Sequence, residues 1–207
     1  MPTPTPEIKP EASAGAREVF DAVREHRLVS VIRASEPAWA LEAARAVIRG
    51  GITLVEVTYS VPDAPSVMRQ LVADKHPGVV IGAGTVLTAR EAGLFYCPGA
   101  YTTNEILHAM EMGAHLVKVY PVGVAGGPDY IKVIRDPLPR VPMLAAGGTN
   151  LDNIVPFYAA GCLACGIGGA LADPALAATG RFAEIESRAR AFVARAATFE
   201  PTVNARR

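Results

Sequence analysis

The sequence has little of what marks most specialised protein classes. Its three cysteines, Cys97, Cys162 and Cys165, are odd in number and lie in apolar surroundings, which suits reduced core thiols rather than a disulfide framework. Cys162 and Cys165 form a CxxC, but no second pair or nearby histidine completes a metal set, and the four histidines at 26, 76, 108 and 115 lack ligand-like spacing. No metal or other cofactor is therefore expected. Neither sign of charge is in surplus: Lys plus Arg and Asp plus Glu each number 20, without blocks of like charge. That leaves no electrostatic footprint for nucleic acid or an anionic membrane. No apolar run approaches the roughly 20 residues that span a bilayer. The opening MPTPTPEIKPEASAG reads as a Pro-rich polar tail instead of a signal peptide, so a cytoplasmic location is expected.

What is present is a chain of 207 residues, half of them hydrophobic, enough for a single domain over residues 16–207 behind a disordered tail at 1–15. Short β-rich runs alternate with Ala-rich amphipathic stretches, the pattern of βα units around a parallel sheet. Seven runs read as strands: 28–33, 54–60, 79–86, 94–97, 115–122, 141–146 and 163–167. Helix signals separate them, as where Ser35 and Glu36 precede Pro37 and Gly50 stops the run. The stretch 181–197 carries Phe182, Ile185, Ala189 and Val193 at helical spacing and reads as a packing helix. Most strand starts fall 21 to 26 residues apart, as in a TIM (β/α)8-type barrel. One interval, from Val79 to Leu94, is only 15 residues, whereas a parallel crossover takes about a dozen residues beyond the strand. One βα unit is thus missing or shortened between Val86 and Leu94.

Charged residues inside apolar strands carry the chemical signal. Lys118, in HLVKVYPV, sits where desolvation favours the neutral amine, and such a lysine can attack a carbonyl. It could equally snorkel to a rim or pair with a carboxylate. Glu56 lies as deep in LVEVTYS; alternation places it with Leu54, Thr58 and Ser60 on one face. A buried glutamate can accept and return a proton near neutrality, or serve as the ion-pair partner of Lys118. Arg33, ending the first strand, can fork onto a carboxylate or phosphate, and Thr85 can donate a hydroxyl hydrogen bond. Two Gly-rich turns, with Gly147 and Gly148 in AAGGTN and Gly168 and Gly169 in GIGGAL, follow the last two strands, where barrels of this type commonly bind phosphate through backbone N–H groups.

Taken in order, GGITLVEVTYS, VVIGAGTVL, CPGAYTTNEI, VKVYP, GGPDYIKVIRDPLPRVPMLAAGGT and GIGGAL resemble the family of 2-dehydro-3-deoxy-phosphogluconate (KDPG) and 4-hydroxy-2-oxoglutarate (KHG) aldolases, across about Leu28 to Leu171. The resemblance implies a class I aldolase, a lyase of Entner–Doudoroff-type carbohydrate metabolism, cleaving a phosphorylated 2-oxo-3-deoxy sugar acid to pyruvate and glyceraldehyde 3-phosphate. In it Lys118 matches the Schiff-base lysine, Glu56 the acid–base glutamate, Thr85 the threonine beside pyruvate and Arg33 a substrate-binding arginine. The glycines at 147, 148, 168 and 169 match the phosphate turns. It further implies a homotrimer acting on a small oxo acid. Cleavage of unphosphorylated 4-hydroxy-2-oxoglutarate to pyruvate and glyoxylate, or an inactive phosphate-ligand-binding or assembly role, are the alternatives. Some members carry a carboxylate-binding arginine after the EVT motif, where this chain has Ser60. The family also has a strand and helix between GAGTVL and the PG motif.

Overall fold

A computed structural model describes residues 12–86 and 94–200. The elements in chain order are α1 (Ala14–His26), β1 (Leu28–Ile32), α2 (Pro37–Arg49), β2 (Leu54–Thr58), α3 (Ala64–Ala73), β3 (Val80–Gly84), β4 (Gly99–Ala100), α4 (Thr103–Glu111), β5 (Val117–Val119), α5 (Val122–Ala125), α6 (Pro128–Arg135), β6 (Met143–Ala146), α7 (Ile154–Ala159), β7 (Ala164–Ile167), α8 (Pro174–Ala178) and α9 (Phe182–Ala197). They fall into two compact units. One draws its described residues from 12–27, 94–165 and 197–200, the other from 28–86 and 166–196. The chain passes from the first to the second within β7, after Cys165.

In the second unit β1, β2 and β3 run parallel, with Val31 opposite Glu56 and Glu56 opposite Gly82. Helix α2 starts at Pro37, whose missing N–H costs nothing at that position, and buries Ala40, Leu41, Ala43, Ala44, Ala46 and Val47. Such small residues allow close approach: a Cβ on Gly50 would stand 2.3 Å from that of Ala189 in α9. Arg45 ties α2 to α3 through a two-pronged bond to Asp74, at 2.8 and 3.0 Å, which holds the Asp74 carboxyl below its ordinary range. In α9 the fully buried stripe is Ile185, Ala189, Phe192 and Ala196. Phe182 and Val193, expected in that stripe, are half-buried, because the face in contact lies a fraction of a turn away.

In the first unit β4, β5 and β6 are parallel, with Gly99 and Leu144 flanking Lys118. Leu163 N–H donates to Met143 at 2.9 Å as the chain enters β7. The strand expected at 94–97 forms instead at Gly99–Ala100. The preceding residues run extended, with Tyr96 and Pro98 carbonyls accepting from His115 and Lys118 at 2.9 Å. The expected strand 115–122 contracts to Val117–Val119 because Pro121 has no N–H to continue the ladder and α5 begins at Val122. The short connection expected at 87–93 lies outside the described residues; among those described, no helix falls between β3 and β4. Helix α1 begins at Ala14, capped by Ser13, inside the segment expected to be tail.

Arg135 is a buried cation of this unit, 8 % exposed, whose guanidinium donates to the carbonyls of Pro139 at 3.0 Å and Val141 at 3.5 Å. Burial pulls its pKa down. It lies over Gly161, where φ is +100° and a Cβ would stand 2.5 Å from Nε. Gly161→Ala therefore meets both an unfavourable backbone and a side chain tied to two carbonyls. We expect a loss of about 1–3 kcal/mol, visible as a Tm several degrees lower by calorimetry; an unchanged Tm would show that Arg135 is free to shift.

Candidate active site

The strands of each unit are parallel, so residues just past their C-terminal ends gather at one edge, where α/β proteins of this kind hold ligands. In the second unit that edge carries Arg33 after β1, Ser60 after β2, Thr85 after β3 and Gly168 after β7. In the first it carries Tyr120 after β5 and Gly147 after β6. Lys118 and Glu56 sit one step deeper, each at the centre of its strand and each half-buried.

Glu56 is aimed by a glycine. Gly82 and Gly84 of β3 share one strand face by alternation, and the Glu56 side chain leans from β2 over Gly84. A Cβ there would fall 2.0 Å from Glu56 Oε1 and 2.5 Å from its Cδ. Gly84 is thus a seat for the carboxyl group. The next residue, Thr85, holds φ at +58°, a left-handed conformation that costs a β-branched residue about 1–3 kcal/mol and tends to concentrate at functional sites. Its side chain is exposed at the strand end.

Arg33 is exposed and is not paired with any carboxylate among the described residues. Its Nη1 donates to Ser60 Oγ at 3.1 Å. Ser60 Oγ lies 2.7 Å from Thr58 Oγ1, which donates to the Ile32 carbonyl at 3.1 Å. A cation held by a neutral hydroxyl keeps its full positive charge available to an anion. Thr85 thus shares an edge of this unit with Arg33, and Glu56 lies one step deeper in β2.

The two glycine turns prove unlike. Gly147 and Gly148 are required by packing: a Cβ on Gly147 would stand 2.7 Å from the Tyr120 ring, and one on Gly148 would stand 2.7 Å from the Gly123 Cα. Gly123 N–H donates to the Gly147 carbonyl at 2.7 Å, and Asn153 Nδ2 closes the turn onto Gly148 at 2.8 Å. Among the described residues, Gly168 and Gly169 have nothing within 4 Å of a Cβ, and neither has a left-handed φ, so neither these neighbours nor backbone conformation calls for glycine there. Their small size leaves open space above the turn.

Cys162 and Cys165 are buried and unbridged, and burial pushes the Cys162 thiol up to about 12 and the Cys165 thiol well above its ordinary value. They are inert core thiols. Among the described residues no group of three or more His, Cys, Asp or Glu is placed to hold a metal ion, and no helix is long and apolar enough to cross a membrane.

Sequence reasoning names Lys118, Glu56, Arg33 and Thr85 as candidates but does not single out three residues packed around them. Gly84 could have been suspected from the rule that a glycine inside a strand marks close approach. Thr58 and Ser60 had only their alternation with Glu56 as a signal, and nothing linked them to Arg33.

Compared with known proteins, the chain matches the family model described as KDPG and KHG aldolase over residues 19–95 and 88–188. It is 30% identical over 179 residues to the 2-dehydro-3-deoxy-phosphogluconate aldolase of Treponema pallidum, covering 72% of this chain and 83% of that protein. It is 29% identical over 169 residues to the 2-dehydro-3-deoxy-6-phosphogalactonate aldolase of Escherichia coli, covering 68% and 82%. Among solved structures, the KDPG aldolase of Legionella pneumophila, which holds pyruvate as a covalent carbinolamine, superposes with a TM-score of 0.74 at 24% identity over 84% of this chain and 97% of that one. The TIM-type α/β fold expected from the strand repeat agrees with that likeness.

Proposed function

The chain belongs to the KDPG and KHG aldolase family, and from that membership we propose that it cleaves a 2-dehydro-3-deoxy-6-phospho sugar acid to pyruvate and glyceraldehyde 3-phosphate. It is an aldolase, hence a lyase. The observation carrying the finer reading is the pair Gly168 and Gly169, whose lack of side chains no neighbour among the described residues demands and whose backbone at the end of β7 suits a phosphate.

In this reading Lys118 Nζ adds to the C2 ketone and, with loss of water, forms an iminium ion. The Glu56 carboxylate takes the C4 hydroxyl proton as the C3–C4 bond breaks; the electrons flow into the iminium, giving the aldehyde phosphate and an enamine. Glu56 returns a proton to C3, and hydrolysis of the imine releases pyruvate. Arg33 and Thr85 hold the carboxylate end, Gly168 and Gly169 the phosphate, and Gly147 and Gly148 shape the turn that follows β6. We assign the working protein to the cytoplasm as a homotrimer; Val124 and Val133, 81 % and 66 % exposed, are apolar surface that assembly could cover.

Because the family model carries both substrate names, 4-hydroxy-2-oxoglutarate, giving pyruvate and glyoxylate, is the second reading. Steady-state rates on both substrates, with borohydride trapping of pyruvate, decide between them. Charge-assisted hydrogen bonds to the phosphate contribute about 1.5–3 kcal/mol each, so kcat/KM should favour the phosphorylated substrate by at least about tenfold. Equal or reversed preference would assign the second reading. Thermal stabilisation by the phosphorylated ligand without turnover or trapping would instead make the chain an inactive binder.

A further inference from the structure

Arg33, Ser60 and Thr58 form a closed hydrogen-bonded circuit whose direction is fixed by valence. The Ile32 carbonyl can only accept, and Thr58 Oγ1 gives it its single proton at 3.1 Å. The 2.7 Å contact between Thr58 Oγ1 and Ser60 Oγ must then take the Ser60 proton. Ser60 Oγ is left as an acceptor toward Arg33, and Nη1 donates to it at 3.1 Å. The circuit begins on the side chain of Arg33 and ends on the carbonyl of the residue before it, so the guanidinium is pinned to the end of its own strand through two hydroxyls, that of Thr58 at the end of β2 and that of Ser60 just beyond it. Thr58 is 0 % exposed, so the anchor is rigid, while Arg33 is exposed and its Nε–Nη2 edge is not engaged by any hydrogen bond or carboxylate among the described residues.

We propose that Ser60 is a positioning residue: it fixes Arg33 so that the open Nε–Nη2 fork meets the carboxylate of the 2-oxo acid in a two-pronged bond. This rests on the reading of Arg33 as an anion holder given above. A freely rotating arginine loses side-chain entropy on binding, roughly 1–2 kcal/mol, whereas one already held by an acceptor-only hydroxyl loses less and presents its planar fork in one orientation. The residue type follows: the position needs a short side chain with a hydroxyl, so serine and threonine serve and alanine does not.

The test is the pyruvate concentration giving half-maximal borohydride trapping, read beside kcat and KM. Ser60→Ala should raise that concentration and KM about 5- to 10-fold with kcat nearly unchanged, and Ser60→Thr should restore both. Thr58→Val, altered at a buried site out of the substrate's reach, should reproduce the Ser60→Ala shift. Arg33→Ala should raise the concentration further, and Ser60→Ala added to Arg33→Ala should do nothing more, since no fork remains to be aimed. A shift in Arg33→Ala with none in Ser60→Ala would overturn the positioning role alone. No shift in Arg33→Ala would remove the anion role together with it, and absence of trapping in the unaltered protein would remove the aldolase reading itself.

Discussion

Lys118→Ala is expected to abolish turnover, by on the order of 10⁴-fold or more, the scale on which loss of a covalent nucleophile is felt, and to abolish trapping of pyruvate by borohydride while the protein remains folded. The fold survives because the strand is held by its backbone. Lys118 N–H donates to Pro98, Gly99 and Leu144 stand opposite it on either side, and Val117 and Val119 beside it are wholly buried. None of these contacts needs the ammonium. Lys118→Arg separates chemistry from ion pairing, because arginine keeps the charge but its guanidinium stays protonated and cannot form an imine. If Lys118 serves only as a cation, Lys118→Arg should retain substantial activity. If it is the nucleophile, Lys118→Arg should be as dead as Lys118→Ala, with circular dichroism and Tm near those of the unaltered protein. Residual aldol cleavage in either variant above the solution background would sink the Schiff-base assignment.

Lys118 and Glu56 stand out in the sequence for a physical reason. A charge in the middle of an apolar strand contradicts its surroundings, and such a contradiction is local, visible within seven or eight letters. The strand repeat was legible for the same reason: β1, β2 and β3 lie within the runs read for them. The run at 94–97 misled because Leu94 to Cys97 is as apolar as a strand, yet the ladder to β5 settles further on, at Gly99 and Ala100. Where ladders start depends on which residues face each other, and that is decided by the neighbouring strand. Gly84, Ser60 and Thr58 escaped for this reason too. Gly84 matters because a glutamate 28 positions earlier leans across from the adjacent strand, and Ser60 because Arg33, 27 residues away, reaches it from another. Thr85 runs against its own propensity, a β-branched residue at positive φ, which no reading of preferences would select. The glycine turns were legible as turns; that one is dictated by packing against Tyr120 and Gly123 while the other is clear of neighbouring described residues depends on contacts between segments distant in sequence.

Gly84→Ala should cost nearly as much activity as removing the glutamate's function outright, though Gly84 touches no reacting atom in the mechanism proposed. Its φ lies outside the left-handed region and it sits at the end of a strand, so alanine is conformationally acceptable there. Its carbonyl, which accepts from Tyr59 at 2.8 Å, is retained. The added methyl instead takes the space of the Glu56 carboxyl: with Oε1 at 2.0 Å, Cδ at 2.5 Å and Cγ at 2.6 Å, no small adjustment suffices and Glu56 must adopt a different rotamer. General acid–base groups contribute about 10²- to 10⁴-fold, and a carboxyl swung off its line loses most of that. We therefore expect Gly84→Ala and Glu56→Gln each to lower kcat within that range, and the double variant to be no slower than the worse of the two, because both remove one function. Multiplying effects would show that Gly84 acts on something other than Glu56. Because the cost falls on a rotamer and not on the core, Gly84→Ala should still form the imine with pyruvate on Lys118, trapped by borohydride as in the unaltered protein; loss of trapping would mean that the methyl has disturbed more than the carboxyl it was built to displace.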